Sequence, residues 1–149
     1  MMMRVRSVGP RVAAYALLGR DEQLLIRDNG EAGCSLPGTA VRDGDHIEAA
    51  LCRAIAQQLN VTPSAADFCT VVEHDITLDG HGPATEIAFL FDVTLVDQHT
   101  DYDMWPPPFR WSTGHDLTTL QPLAIRTLWR RGQLSVATPW HAWTPSTRS

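Results

Sequence analysis

The sequence predicts a single α/β (α+β) domain, and three observations predict it. Two apolar, strand-like runs, Arg11 to Leu18 and Gln23 to Arg27, flank the polar turn Gly19-Arg20-Asp21-Glu22, which is a hairpin signal. From His46 to Leu59 the apolar residues Ile47, Ala50, Leu51, Ala54, Ile55 and Leu59 recur at helical spacing and define one buried face. Two further strand-like runs, Cys69 to Thr77 and Ile87 to Val96, are joined by the loop Asp79-Gly80-His81-Gly82-Pro83.

Each element has local support in chain order. Residues 1–10 form a leader that ends at Gly9-Pro10, and the domain proper is read as 11–132. After the hairpin, Asn29-Gly30 and Gly33 mark a loop that ends in Leu36-Pro37-Gly38. Val41 lies in a short extended piece and Asp43-Gly44 makes a turn. The helix is expected to start at an Asp45 N-cap with Glu48 completing a capping box, and to stop at Asn60 in a left-handed position. The run Ile87 to Val96 is almost wholly apolar, so it is expected to be a central strand buried on both faces. Residues 97–108 form a polar loop that closes on Trp105 and three prolines, before a short strand at Phe109 to Ser112. A last helix is expected over Pro122 to Arg131, with a proline-broken aromatic tail over 133–149 that carries Trp140 and Trp143.

Composition excludes several classes. At 149 residues the chain is one domain long, and 44% hydrophobic with 19% charged residues is a globular balance. A net charge of −5 with no clustered cations argues against binding a nucleic acid polymer, which requires phosphate neutralisation. All 12 basic residues are arginine, the codon bias of a GC-rich, bacterial type of genome. Cys34, Cys52 and Cys69 are odd in number and lack C-x-x-C spacing, which argues against a disulfide framework or a zinc site. No run approaches the ~20 apolar residues of a membrane span, and the start does not read as a signal peptide. The expected location is cytoplasmic.

The order of hairpin, Leu36-Pro37-Gly38 loop, capped helix, two strands and closing helix resembles the Nudix superfamily. That family's box, G-x5-E-x7-R-E-U-x-E-E-x-G-U with U a bulky apolar residue, lies ungapped on Thr39 to Val61. Asp45 falls on the first acid, Arg53 on the arginine, and Ile55 and Val61 on the apolar positions. Phe109-Arg110-Trp111 followed by Asp116-Leu117 is similar to the family's closing segment. The resemblance implies an α/β/α sandwich around a mixed central sheet.

The positions that break the pattern are Thr39, Ala54, Gln57, Gln58 and Asn60. In the family the helix presents glutamates where Ala54, Gln57 and Gln58 stand, on one face at i, i+3 and i+4. Magnesium wants charged oxygen ligands that bridge to substrate phosphates, and neither a neutral amide nor a methyl supplies one. No cofactor is therefore expected, with Mg²⁺ only if an acidic cluster has been rebuilt elsewhere. The candidates for such a catalytic cluster are Asp45, Glu48, Glu73 and Glu86; the bland reading makes the first two caps and the others solvated acids. For ligand binding the candidates are Gln57, Gln58, Arg53 and Trp105, the last held by its prolines over a pocket mouth or else plugging the core edge. Asp45 and Arg53 are expected to hold the junction of loop and helix. His74, between two acids, is the histidine best placed to act as a base.

Three functions stay open at this point. One is a degenerate Nudix domain that binds a small nucleotide- or diphosphate-like molecule without Mg²⁺-dependent hydrolysis. A second is an active enzyme, either a hydrolase with a relocated acidic cluster or a non-hydrolytic biosynthetic catalyst. The third is an interaction module whose aromatic tail supports a homodimer.

Overall fold

The computed structural model describes residues 10–20, 22–78, 82–96, 104–121, 125–126 and 140–141. Strands β1 (Arg11–Leu17), β5 (Gly38–Ala40), β6 (Pro63–Leu78), β7 (Gly82–Leu95) and β10 (Trp140–His141) make one mixed sheet in the order β10-β6-β7-β1-β5. Within it β1 and β7 are parallel, as are β10 and β6, while β6–β7 and β1–β5 are antiparallel. Strands β2 (Gly19–Arg20), β3 (Gln23–Asp28), β4 (Cys34–Ser35) and β9 (Leu120–Gln121) form the second sheet, with β8 (Phe109–Trp111) paired to β3. Helix α1 (Ile47–Leu59) packs against the first sheet.

Period-two alternation sends the side chains of β1, β3 and β7 to opposite faces. Ala14, Ala16, Leu25, Phe91 and Val93 meet Leu51, Ile55 and Leu59 of α1 in one core cluster. Leu17, Leu24, Ile26, Ala88 and Leu90 point the other way into a second cluster, with Val72, Cys34 and Leu120. Strand β7 is thus central and buried on both sides, as its apolar run predicts. Ile125, fully buried, packs into the second cluster. The expected helix over Pro122 to Arg131 otherwise lies outside the described residues, as do the leader 1–9 and the tail beyond 141.

Three local expectations need correction. The runs at 11–18 and 23–27 do not pair as one long hairpin. Only Gly19–Arg20 folds back on Gln23 and Leu24, while β1 joins β7 and β5 in the other sheet. Both runs are apolar on two faces, and such strands prefer a buried ladder on each side to a two-stranded ribbon. The helix begins one residue later than expected, with His46 at the N-cap and no side-chain cap bond, so Asp45 caps nothing. Its other end matches expectation: Asn60 takes φ 56° and ψ 48°, the left-handed stop. Finally, β6 starts six residues earlier than predicted, at Pro63, and β7 five residues earlier, at Gly82, because the ladder runs from the Pro63–Leu95 pair to the Leu78–Gly82 pair beside the turn.

Gly38 of the Leu-Pro-Gly loop is required by close approach. A Cβ there would collide with the Ala14 carbonyl oxygen and the Tyr15 ring. The loop is pressed onto β1, and Ala16 N–H donates to the Pro37 carbonyl at 2.8 Å.

Candidate functional site

The family-like helix face carries no carboxylate at Ala54, Gln57 or Gln58. Ala54 is 9% exposed and packs inward. Gln58 Nε2 donates to the Gly38 carbonyl at 2.9 Å, tying the helix to the loop that precedes it, while Gln57 is exposed. The Asp45–Arg53 pair stands at 4.0 Å with side chains 36% and 63% exposed. The pair spans the junction of loop and helix, but as a solvated contact of small energetic consequence.

The four acids proposed as a rebuilt cluster are not brought together. Glu48 and Asp45 are exposed at the start of α1. Glu86 sits on the face of β7 shared with Ala88 and Leu90, turned away from the helix. Glu73 follows the alternation opposite to His74, so it too parts from Glu86. Among the described residues no three acids, histidines or cysteines stand close enough to hold an ion. Trp105 is 7% exposed and lies in the cluster under α1, edge-on to Trp111 with ring centroids 5.8 Å apart. That is the position of a connector's core plug.

The chemistry gathers on the other face of the sheet. On β7, Glu86 is in register with Arg11 of β1 on one side and His74 of β6 on the other. Three strands therefore place a base, a buried acid and an imidazole in one cross-strand row. Tyr15, four residues along β1 on the same face as Arg11, completes the set. Its hydroxyl donates to Glu86 Oε1 at 2.7 Å, His74 Nε2 meets the same oxygen at 2.9 Å, and Arg11 Nε lies 3.3 Å from Oε2.

Glu86 is 2% exposed. Burial alone would push its carboxyl up, but the hydrogen bonds from His74 and Tyr15 and the charges of His74 and Arg11 outweigh it and hold the group below its ordinary range. Tyr15 is driven strongly upward, by burial first and by the Glu86 charge second, so it stays a phenol and donates. Tyr15, His74 and Glu86 open onto a cleft of about 400 Å³ lined also by Ser35, Asp75, Ile76, Pro83 and Gln121.

A second network braces the closing segment. The Arg110 guanidinium grips Asp116 at 2.7 and 2.8 Å, and the Thr113 backbone N–H and hydroxyl add two more donors to Asp116 Oδ2. The guanidinium, burial notwithstanding, holds the Asp116 carboxyl far below its usual value. Burial pushes the Cys34, Cys52 and Cys69 thiols up, away from the reactive thiolate.

The sequence reading singled out His74 and Glu86 but not their pairing, and it missed Tyr15 and Arg11 altogether. The signal was in the turn. The β6–β7 partners next to it are symmetric about position 80, which sets His74 opposite Glu86. A register centred on the whole Asp79–Pro83 loop would instead have paired His74 with Ala88.

Against known proteins, no family model matches the chain, and no curated protein matches it. Solved structures do. A MutT protein from Bacillus halodurans superposes with a TM-score of 0.61 over 93% of each chain at 13% identity. A Nudix hydrolase from Nitrosomonas europaea gives 0.60 over 87% of this chain and 93% of its own, at 17% identity. An ADP-ribose pyrophosphatase from Streptococcus suis gives 0.56 over 91% and 99%, at 10% identity. The chain has a Nudix-like fold, of mixed α+β class. At these identities the likeness is one of fold.

Proposed function

We propose that this chain is a small-molecule-binding Nudix-fold protein in which Mg²⁺-dependent hydrolysis at α1 has been lost, and that its nucleotide- or diphosphate-like ligand enters the Tyr15–His74–Glu86 cleft. The observation that carries the reading is Gln58. Its amide is committed to the Gly38 carbonyl at the position where the family pattern has a glutamate. With Ala54 offering no oxygen and Gln57 and Gln58 no charge, the donor set does not fit a hard dication. The cleft's volume lies toward the lower end of the ~300–1,000 Å³ range of ligand pockets and suits a nucleoside-sized body.

The test is a thermal-shift screen of ADP-ribose and nucleoside mono- and diphosphates, with and without Mg²⁺, read beside calorimetric metal titration and product analysis. A ligand that stabilises the protein equally in both buffers, without turnover, is the expected result. Mg²⁺-dependent cleavage that disappears on neutralising Asp45 or Glu48 would restore the relocated-cluster hydrolase.

A further inference from the structure

Resting on the reading of the cleft as the ligand site, we infer that His74 is its proton acceptor, through Nδ1, for a flat and uncharged part of the ligand that carries a weakly acidic N–H or O–H. The inference starts from the bonds around Glu86. Its Oε1 receives the Tyr15 hydroxyl and faces His74 Nε2, while Oε2 faces Arg11, so the carboxylate is an acceptor surrounded by donors. An acceptor-only oxygen 2.9 Å from Nε2 requires the proton on that nitrogen. In the neutral ring the lone pair is then on Nδ1. A carboxylate that fixes the tautomer and steadies the imidazolium formed on proton uptake is the arrangement by which histidine becomes an oriented base.

The surroundings decide what such a base meets. The His74 side chain is 14% exposed and lines the cleft. Ile76, Pro83 and the Tyr15 ring give apolar walls suited to a flat body, and Ser35 and Gln121 give neutral hydrogen-bonding groups. The charged groups close to the ring are Glu86 and Arg11, paired with each other, and the cleft-lining Asp75. An anionic ligand group placed against His74 would meet carboxylates, so the part bound there is uncharged. Tyr15 is a positioning residue: its hydroxyl shares Oε1 with His74 and so fixes where the imidazole can sit.

The probes are phthalimide, a flat ring with one acidic N–H, and N-methylphthalimide, which lacks it. Binding is followed by NMR of protein labelled with ¹⁵N-histidine. Phthalimide is expected to bind at least about tenfold more tightly and to move the His74 Nδ1 resonance, which the methylated compound leaves in place. The extra bulk of the methyl is controlled with His74→Phe, a ring with no nitrogen or oxygen to accept a proton or a hydrogen bond; there the two compounds should bind alike. If that variant does not fold, the wild-type Nδ1 shift still decides. Equal binding of both compounds, with shifts at Ser35, Ile76 and Gln121, overturns the role of His74 and leaves the cleft as a ligand site. Binding of neither at millimolar concentration also overturns the inference, and the nucleotide screen then judges the cleft by itself.

Discussion

Replacing Glu86 by glutamine tests the network at its centre. The amide keeps one oxygen for Tyr15 and His74 but turns an N–H₂ toward the Arg11 Nε, which stood 3.3 Å from Oε2. One charge-assisted contact becomes a clash of donors, and the two bonds to Oε1 weaken because their acceptor is no longer ionised. Arg11 is half exposed and can turn to water, which spares the full penalty of a stranded buried charge. A loss of about 1.5–3 kcal/mol follows, or roughly 3–12 °C in melting temperature at about 2–4 °C per kcal/mol for a chain of this size. The pH dependence carries the sharper test. Glu86 is held below its ordinary value of 4.5 when folded, so its contribution is fully present above that pH and is lost as pH falls through the folded value. Glutamine does not titrate, so the gap between wild type and variant should be constant near neutrality and close below about pH 4.5. Thermal melts in a buffer series from pH 3 to 8 measure it. A gap that is absent at pH 7, or that fails to narrow in acid, would show that Glu86 is not the ionised hub described here.

Three further changes separate structural from functional roles. Trp105→Ala should cost about 3–5 kcal/mol in urea unfolding and leave the affinity of any cleft ligand unchanged, because the ring is buried beneath α1; lost affinity with stability intact would return it to a pocket. Arg53→Ala should shift the unfolding midpoint by less than about 1 kcal/mol, as befits an exposed 4.0 Å pair, and a larger drop would mean that the pair is braced in solution. Gln58→Glu should destabilise by about 1 kcal/mol in metal-free buffer, since a carboxylate cannot donate to the Gly38 carbonyl. Millimolar Mg²⁺ should not restore the loss, and calorimetry that shows full recovery would mean that this helix face is competent to hold a metal.

What was legible in the sequence is what local chemistry writes. The α1 face, its Asn60 stop and the apolar β7 each follow from spacing within one element, and each stands as expected. The family-like box could be aligned at 23 positions, Thr39 to Val61, because α1 and its preceding loop are contiguous in the chain. Partner choice was not legible in the same way. The run Arg11 to Leu18 has the alternation of a strand, but whether it pairs with the next strand or with β7, some seventy residues on, is decided by which faces can be buried. The N-cap was misread for a related reason: Asp45 has the right chemistry, but the turn at Asp43-Gly44 leaves His46 in the extended conformation that opens the helix.

The site shows the same limit at higher stakes. Arg11, Tyr15, His74 and Glu86 are spread over 76 positions and meet only because β1 and β6 flank β7. None of them belongs to the box, and a search guided by the box looks at the wrong face of the sheet. The helix face does without charge at these positions, since Ala54 packs inward and Gln58 ties down the loop. A carboxylate buried to 2% exposure on the opposite face is different, because an unpaired charge there would cost far more than an alanine's worth of packing. Packing alone would be served as well or better by an apolar residue at position 86. In the proposal above, the charged oxygen at position 86 orients the imidazole through the 2.9 Å contact to Nε2, a task that an apolar residue could not perform.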